Sequence, residues 1–229
     1  MKGVQVKEFE ELERGFPKMP TAVSQAEVRV RKTINNMPSQ PEEKRKRINP
    51  DPIMMRGGIS EKCRFWGCTL DNYKVKSKSE LDAMKEIQRY MSEKKYENGE
   101  GLVLFGEPGT GKTHLLIGLM WEFAKIGKTV KYMTAEDFFI RLRQSITDRN
   151  ELGYLNSLID PDVLVFDDLH CVGEEEGYQY RQLWWMLDKR YFHKKPTLTA
   201  SNKSIDEFRE AFDDRTRRRL CANAIPVKK

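Results

Sequence analysis

The eight residues Gly106 to Thr113, GEPGTGKT, restrict what this chain can fold into more than any other stretch of it. They satisfy G-x-x-x-x-G-K-[ST] and stand between a short apolar run, GLVLFG (101–106), and a helical pattern that starts at Lys112. The setting gives the motif its meaning. A strand delivers the chain to a glycine-rich turn, and a helix leads away with its unpaired N–H groups facing back toward that turn. The set Gly106, Glu107, Pro108, Gly109, Thr110, Gly111, Lys112, Thr113 and His114 is therefore the expected cradle for nucleotide phosphates. Lys112 is a compact charge able to reach β- and γ-phosphates, and the Thr113 hydroxyl can serve Mg²⁺, so ATP with Mg²⁺ is the expected ligand.

A phosphate loop needs an acid to hold its metal at the end of a neighbouring strand. VLVFDD (163–168) has that form: an apolar run buries the strand and Asp167 emerges at its carboxyl end as the expected Mg²⁺ partner. Asp168 is the candidate to polarise the attacking water. In TLTASN (197–202) the same apolar-to-polar transition ends in Asn202, whose amide could hold that water or sense the γ-phosphate; a simple turn asparagine is the plainer alternative.

The rest of the chain alternates in the same way. TVKYMT (129–134) and residues 224–227 read as further strands. Helical patterns cover 79–95, 112–126, 135–146, 178–192 and 204–212. Strands alternating with helices predict an α/β fold with a parallel sheet covered on both faces. Residues 1–60 differ: Pro17, Pro20, Pro38, Pro41, Pro50 and Pro52 punctuate them, and Lys44-Arg45-Lys46-Arg47 forms a basic cluster. Residues 8–16 and 26–37 could each form a short helix there. The predicted division is a small helical module or flexible arm with a linker over 1–60, and an ATPase domain over 61–229.

Bulk properties exclude some classes. No apolar run is long enough to span a bilayer, and the N-terminal residues lack the apolar core of a secretory signal, so a cytoplasmic location is expected. The net charge of +6 fits contact with a polyanion without requiring it. Cys63, Cys68, Cys171 and Cys221 form no C-x-x-C pair, and ordinary reduced thiols are the expectation.

Taken together, CTLDNY (68–73), GLVLFGEPGTGKTHL (101–115), VLVFDDLH (163–170), TLTASNKS (197–204) and DDRTRRRL (213–220) resemble the AAA+ ATPases. Within them, the resemblance is to the DnaC/DnaI-type replicative helicase loaders and their IstB-like transposition relatives. It covers the chain from about Cys63 onward. The resemblance implies that Asn202 is sensor 1. It also implies that Arg219 is the arginine finger inserted into a neighbouring subunit's site, with Arg215 as the second choice. A solvated helix face made of Arg215, Arg217, Arg218 and Arg219 is the alternative. With the chain ending at Lys229, the C-terminal lid of many AAA+ proteins is expected to be missing, and hydrolysis is expected to be weak without partners.

Family logic assigns a helicase contact to residues 1–60, making them the partner-docking segment, and self-association and single-stranded DNA contact to the core. Arg141, Arg143 and Arg149, beside Phe138 and Phe139, are the candidates for DNA; Phe138, Phe139 and Leu142 could equally be a core-facing stripe. Three functions remain open: a helicase loader, an ATP-dependent transposition regulator acting on duplex DNA, and a module that holds nucleotide without turnover. The complete set Lys112, Thr113, Asp167 and Asp168 argues against the last.

Overall fold

Among the described residues, five parallel strands form one sheet, in the order β2-β3-β4-β1-β5. The computed structural model describes residues 49–169, 177–211, 220 and 222–228. The elements in chain order begin with α1 (Asp51–Arg56), α2 (Lys78–Ser92) and β1 (Leu102–Phe105). They continue through α3 (Lys112–Lys125), β2 (Val130–Thr134), α4 (Ala135–Thr147), α5 (Glu151–Ile159) and β3 (Val163–Asp167). α6 (Tyr178–Phe192), β4 (Thr197–Ser201), α7 (Ile205–Ala211) and β5 (Asn223–Pro226) complete the set.

The order explains the strand sequences. β1, β3 and β4 lie inside the sheet and are buried at every position: LVLF and VLVF are unbroken apolar runs, and the hydroxyl residues Thr197, Thr199 and Ser201 that alternate through TLTAS are buried with their strand. β2 and β5 are edges and carry partly exposed residues. β4 separates β1 from β3, so the strand ending in Asn202 lies between the phosphate-loop strand and the acid strand. Phe105 pairs with Ser201 on one side and Pro226 on the other. The carboxyl ends of the strands therefore gather along one rim.

Caps fix the helices against that sheet. Ser77 and Glu80 form a reciprocal capping box at the start of α2. Thr134 accepts from the Asp137 N–H at the start of α4. Ser204 and Glu207 do the same for α7, as its sequence pattern predicts. One continuous cluster fills the space between sheet and helices, with Phe105, Phe138, Leu142, Phe166, Met186 and Phe208 among its members. Each such side chain taken out of water contributes roughly 1.5–3 kcal/mol.

Three features depart from the sequence expectation. α1 buries Met54, and Tyr132 donates its backbone N–H to the Gly57 carbonyl at 2.7 Å, so packing with the sheet reaches back ahead of residue 60. α5 was not anticipated: Gly153 sits inside it, Leu152 is exposed, and its N-terminus has no side-chain cap. Arg190, on α6, is fully buried. Its Nε donates to Thr197 Oγ1 at 3.1 Å, and Nη1 donates to the carbonyls of Leu158, Ile159 and Pro161 at 2.9, 3.2 and 2.9 Å. Nη2 donates to the carbonyls of Asp162 and Pro196 at 3.3 and 2.7 Å. Burial pulls its pKa down to about 9, against the opposing charge of Asp162, so it stays protonated at neutral pH. It ties α5, β3 and β4 together at the amino ends of the strands.

Candidate nucleotide site

The chain leaves β1 at Phe105 and turns through Gly106 to Gly111 before α3 begins at Lys112. Two glycines are required by what surrounds them. A Cβ on Gly106 would lie 1.9 Å from the Val227 carbonyl oxygen, and Val227 in turn donates its N–H to Phe105 at 2.6 Å. Gly111 has φ 89°, in the left-handed region, and a Cβ there would meet the Tyr73 ring at 2.7 Å. Tyr73 belongs to CTLDNY, and its hydroxyl donates to the Thr110 carbonyl at 2.8 Å. The buried Thr110 hydroxyl donates to the Glu107 carbonyl at 2.9 Å. Glu107, Pro108 and Gly109 remain exposed at the crown of the loop.

Lys112 folds back along the loop, with Nζ donating to the carbonyls of Gly106 and Glu107 at 2.7 and 2.9 Å. Burial lowers its pKa, while Asp167 and Asp168 raise it. His114 follows a different path from the phosphate cradle expected for it. Its Nε2 lies 2.9 Å from both the Thr69 carbonyl and Asn72 Oδ1, and its ring packs edge-on against Tyr73. Both partners are acceptors, because Asn72 uses its Nδ2 on the Gly67 carbonyl; Nε2 therefore carries the proton. His114 holds the CTLDNY segment against the loop.

The acid strand reaches the same place. Thr113 Oγ1 donates to Asp167 Oδ2 at 2.9 Å, and the Tyr132 hydroxyl, from β2, donates to the same oxygen at 3.0 Å. The Asp168 N–H donates to Asp167 Oδ1 at 2.9 Å. Burial pushes the Asp167 carboxyl above its ordinary range; the Thr113 bond opposes this, Asp168 charge adds to it, and the Asp168 N–H and Tyr132 oppose it again. Asp168 has φ 56°, a left-handed conformation that aspartate tolerates better than most residues, and it turns the chain sharply off β3. Asn202 stands one residue beyond β4, half-buried, next to Gly106, whose N–H donates to the Ser201 carbonyl at 3.2 Å. The hard oxygens of Thr113 and Asp167 suit Mg²⁺.

Tyr132 and Tyr73 were not singled out by motif reasoning. The only signal for Tyr132 is a hydroxyl-bearing residue in a strand beside the acid strand. The DNA candidates separate into two kinds. Phe138 and Leu142 are fully buried, and Phe139 packs against Tyr180 with ring centroids 6.2 Å apart, so these three are core-facing. Arg141, Arg143 and Arg149 are exposed. Arg215, Arg217, Arg218 and Arg219 lie outside the described residues, as does residue 212 at the expected end of α7. Among the described residues no three metal-ligating side chains of the His, Cys, Asp and Glu types cluster, and no helix is long and apolar enough to cross a membrane.

Comparison with known proteins bears on this geometry. The family model for the IstB-like ATP binding protein matches residues 62–223. The replicative helicase loader DnaC of Escherichia coli is 27% identical over 156 residues, covering 67% of this chain and 62% of the relative. An insertion-sequence ATP-binding protein of Geobacillus stearothermophilus is 26% identical over 146 residues, covering 64% of this chain and 57% of that one. The chain thus spans about 62% of the length of the DnaC it matches. Among solved structures, a DnaC helicase loader aligns with TM-score 0.62 at 24% identity, over 72% of this chain and 98% of the other. DnaA of Aquifex aeolicus bound to AMPPCP aligns with TM-score 0.60 at 22% identity, over 70% and 50%. These structural likenesses show the same fold.

Proposed function

Because this chain belongs to the family of IstB-like ATP binding proteins, as a DnaC-type AAA+ ATPase, we propose that it is an ATP-switched helicase loader. In this reading it binds a replicative helicase and delivers it to single-stranded DNA, with ATP binding favouring an assembled state and hydrolysis releasing it. The observation that carries the switch is the bond between Thr113 and Asp167, which links the phosphate-loop helix to the acid strand. Thr113 and Asp167 would exchange this bond for contacts to the metal on nucleotide binding.

The roles follow from chemistry. The loop N–H groups and Lys112 hold the phosphates, and Thr113 and Asp167 hold Mg²⁺. Bound Mg²⁺ neutralises charge on the β- and γ-phosphates. Asp168, next along the chain, orients or polarises water, and Asn202 at the neighbouring strand end fixes it. Arg219 of an adjacent copy supplies the charge that makes turnover depend on assembly, with Arg215 as the second choice. The exposed Arg141, Arg143 and Arg149 provide phosphate contacts for DNA.

A second reading, an ATP-dependent transposition regulator on duplex DNA, is favoured by the family model and by the insertion-sequence relative. Both readings need the same switch. A pull-down with purified replicative helicase, using the full chain and a form lacking residues 1–48 that keeps the packed helix α1, separates them. Capture in ATP that requires residues 1–48 is the loader's outcome. Failure to capture helicase, together with cooperative binding to long duplex, means transposition regulation instead.

A further inference from the structure

α6 carries a feature that the nucleotide site does not use. Tyr178, Arg181, Trp185, Lys189 and Phe192 are all exposed and follow one another at steps of three or four residues. At 3.6 residues per turn they fall within roughly an 80° arc, a single face running about 21 Å along the helix. Their chemistry alternates: aromatic, basic, aromatic, basic, aromatic. The Arg181 guanidinium lies 6.0 Å from the Tyr178 ring centroid, and Lys189 Nζ lies 5.5 Å from that of Trp185. Tyr178 is 45% exposed, Trp185 36% and Phe192 80%, while Leu183, Met186 and Leu187 on the other side of the helix are buried. Near the end of the stripe, Tyr191 and Lys194 join Trp185, Lys189 and Phe192 around a groove of about 690 Å³, in which Asp188 is the acidic lining residue.

Scattered surface aromatics need no explanation, but three in line with cations between them do. Lysine is depleted from the cores of protein–protein contacts, whereas a strand of nucleotides presents flat rings and phosphates in alternation. We propose that this stripe is a contact surface for single-stranded nucleic acid, separate from Arg141, Arg143 and Arg149. Bases stack on Tyr178, Trp185 and Phe192, and Arg181, Lys189 and Lys194 neutralise the phosphates between them. The Tyr178 hydroxyl donates to the Glu151 carboxylate at 2.7 Å, which holds that ring in place before any ligand arrives. A duplex, whose bases are stacked on one another, offers the rings nothing equivalent. The proposal deepens the loader reading, on which the choice of DNA as the strand rests.

The test uses the full chain with ATP and Mg²⁺ and a fluorescein-labelled oligo-dT of about 20 nucleotides, longer than the roughly 4–16 that one single-strand-binding fold covers. The unmodified protein binds it and its tryptophan emission is quenched. Trp185→Ala and Phe192→Ala each weaken binding about tenfold. Trp185→Phe keeps the affinity but loses most of the quenching, a result that misfolding does not produce. Lys189→Ala lowers the slope of log affinity against log salt by about 0.7. Unlabelled duplex of equal length competes poorly.

Wild-type affinity in both alanine variants, equal competition by duplex, or no binding by the unmodified protein overturns the proposal. So does a variant that keeps its oligo-dT affinity but sediments as a smaller species, since the stripe would then be a contact between copies. Loss of helicase capture at unchanged oligo-dT affinity overturns it too, in favour of a protein interface. Conversely, oligo-dT binding through the stripe with no helicase capture by the unmodified protein sinks the loader reading and leaves the stripe standing.

Discussion

Asp167 collects three hydrogen bonds on a carboxylate that is almost entirely buried, and its pKa is still raised because burial outweighs them. A raised acid binds its proton more tightly folded than unfolded, so this group's contribution to stability is full below the ordinary carboxylate value. It is lost as pH rises through the folded value. Asp167→Asn is therefore expected to raise the melting temperature of the nucleotide-free protein at neutral pH and to flatten its fall as pH rises above the ordinary carboxylate range, while abolishing Mg²⁺-dependent ATP binding; calorimetry and a fluorescent-nucleotide titration measure the two. Tyr132→Phe removes one donor without changing shape. The Mg²⁺ concentration for half-saturation is expected to rise about fivefold, equivalent to roughly 1 kcal/mol, with nucleotide binding in EDTA unchanged. The loop is legible in the sequence because its glycines, lysine and threonine keep a fixed spacing between a strand and a helix, and Asp167 because it ends a buried apolar run. Tyr132 is not, since a tyrosine in a strand reads the same whether its hydroxyl meets an acid or the solvent.

The strands and most helices could be read because buried parallel strands are short apolar runs, and because Thr134 and Ser204 announce helix starts. Replacing Thr134 with alanine is expected to cost about 1 kcal/mol, measured by urea denaturation, because the Asp137 N–H loses its acceptor. α5 escaped for the opposite reason: an internal glycine and an exposed leucine blur the very periodicity on which the reading depends. Arg190 escaped because an arginine on a helix ordinarily faces water. Arg190→Ala leaves five carbonyls and a hydroxyl short of a donor, and a loss of about 3–5 kcal/mol is expected in the same assay. Phe138 and Phe139 show the limit of pattern reading at this scale, since a core stripe and a base-stacking pair look alike until the packing is seen.

At the scale of the whole molecule, the proposed loader function requires a residue from an adjacent copy to complete the nucleotide site. Arg219→Ala is expected to spare ATP affinity while removing partner-stimulated hydrolysis; normal stimulated turnover in that variant would sink the finger assignment. The residues that decide partner choice are the least legible ones, because docking surfaces obey no fixed spacing, and those before residue 49 lie outside the described structure. A nucleotide's arrival is expected to reach the two ends of the strands unequally. With Arg190 fastening β3, β4 and α5 at the amino ends of the strands, these strands are expected to behave as a cantilever, held at that end and yielding at the other. Hydrogen–deuterium exchange should accordingly change on nucleotide addition around residues 106–113 and 201–204, and remain still around 158–163, so that the stroke is confined to the rim where the loop, the acid and the asparagine meet.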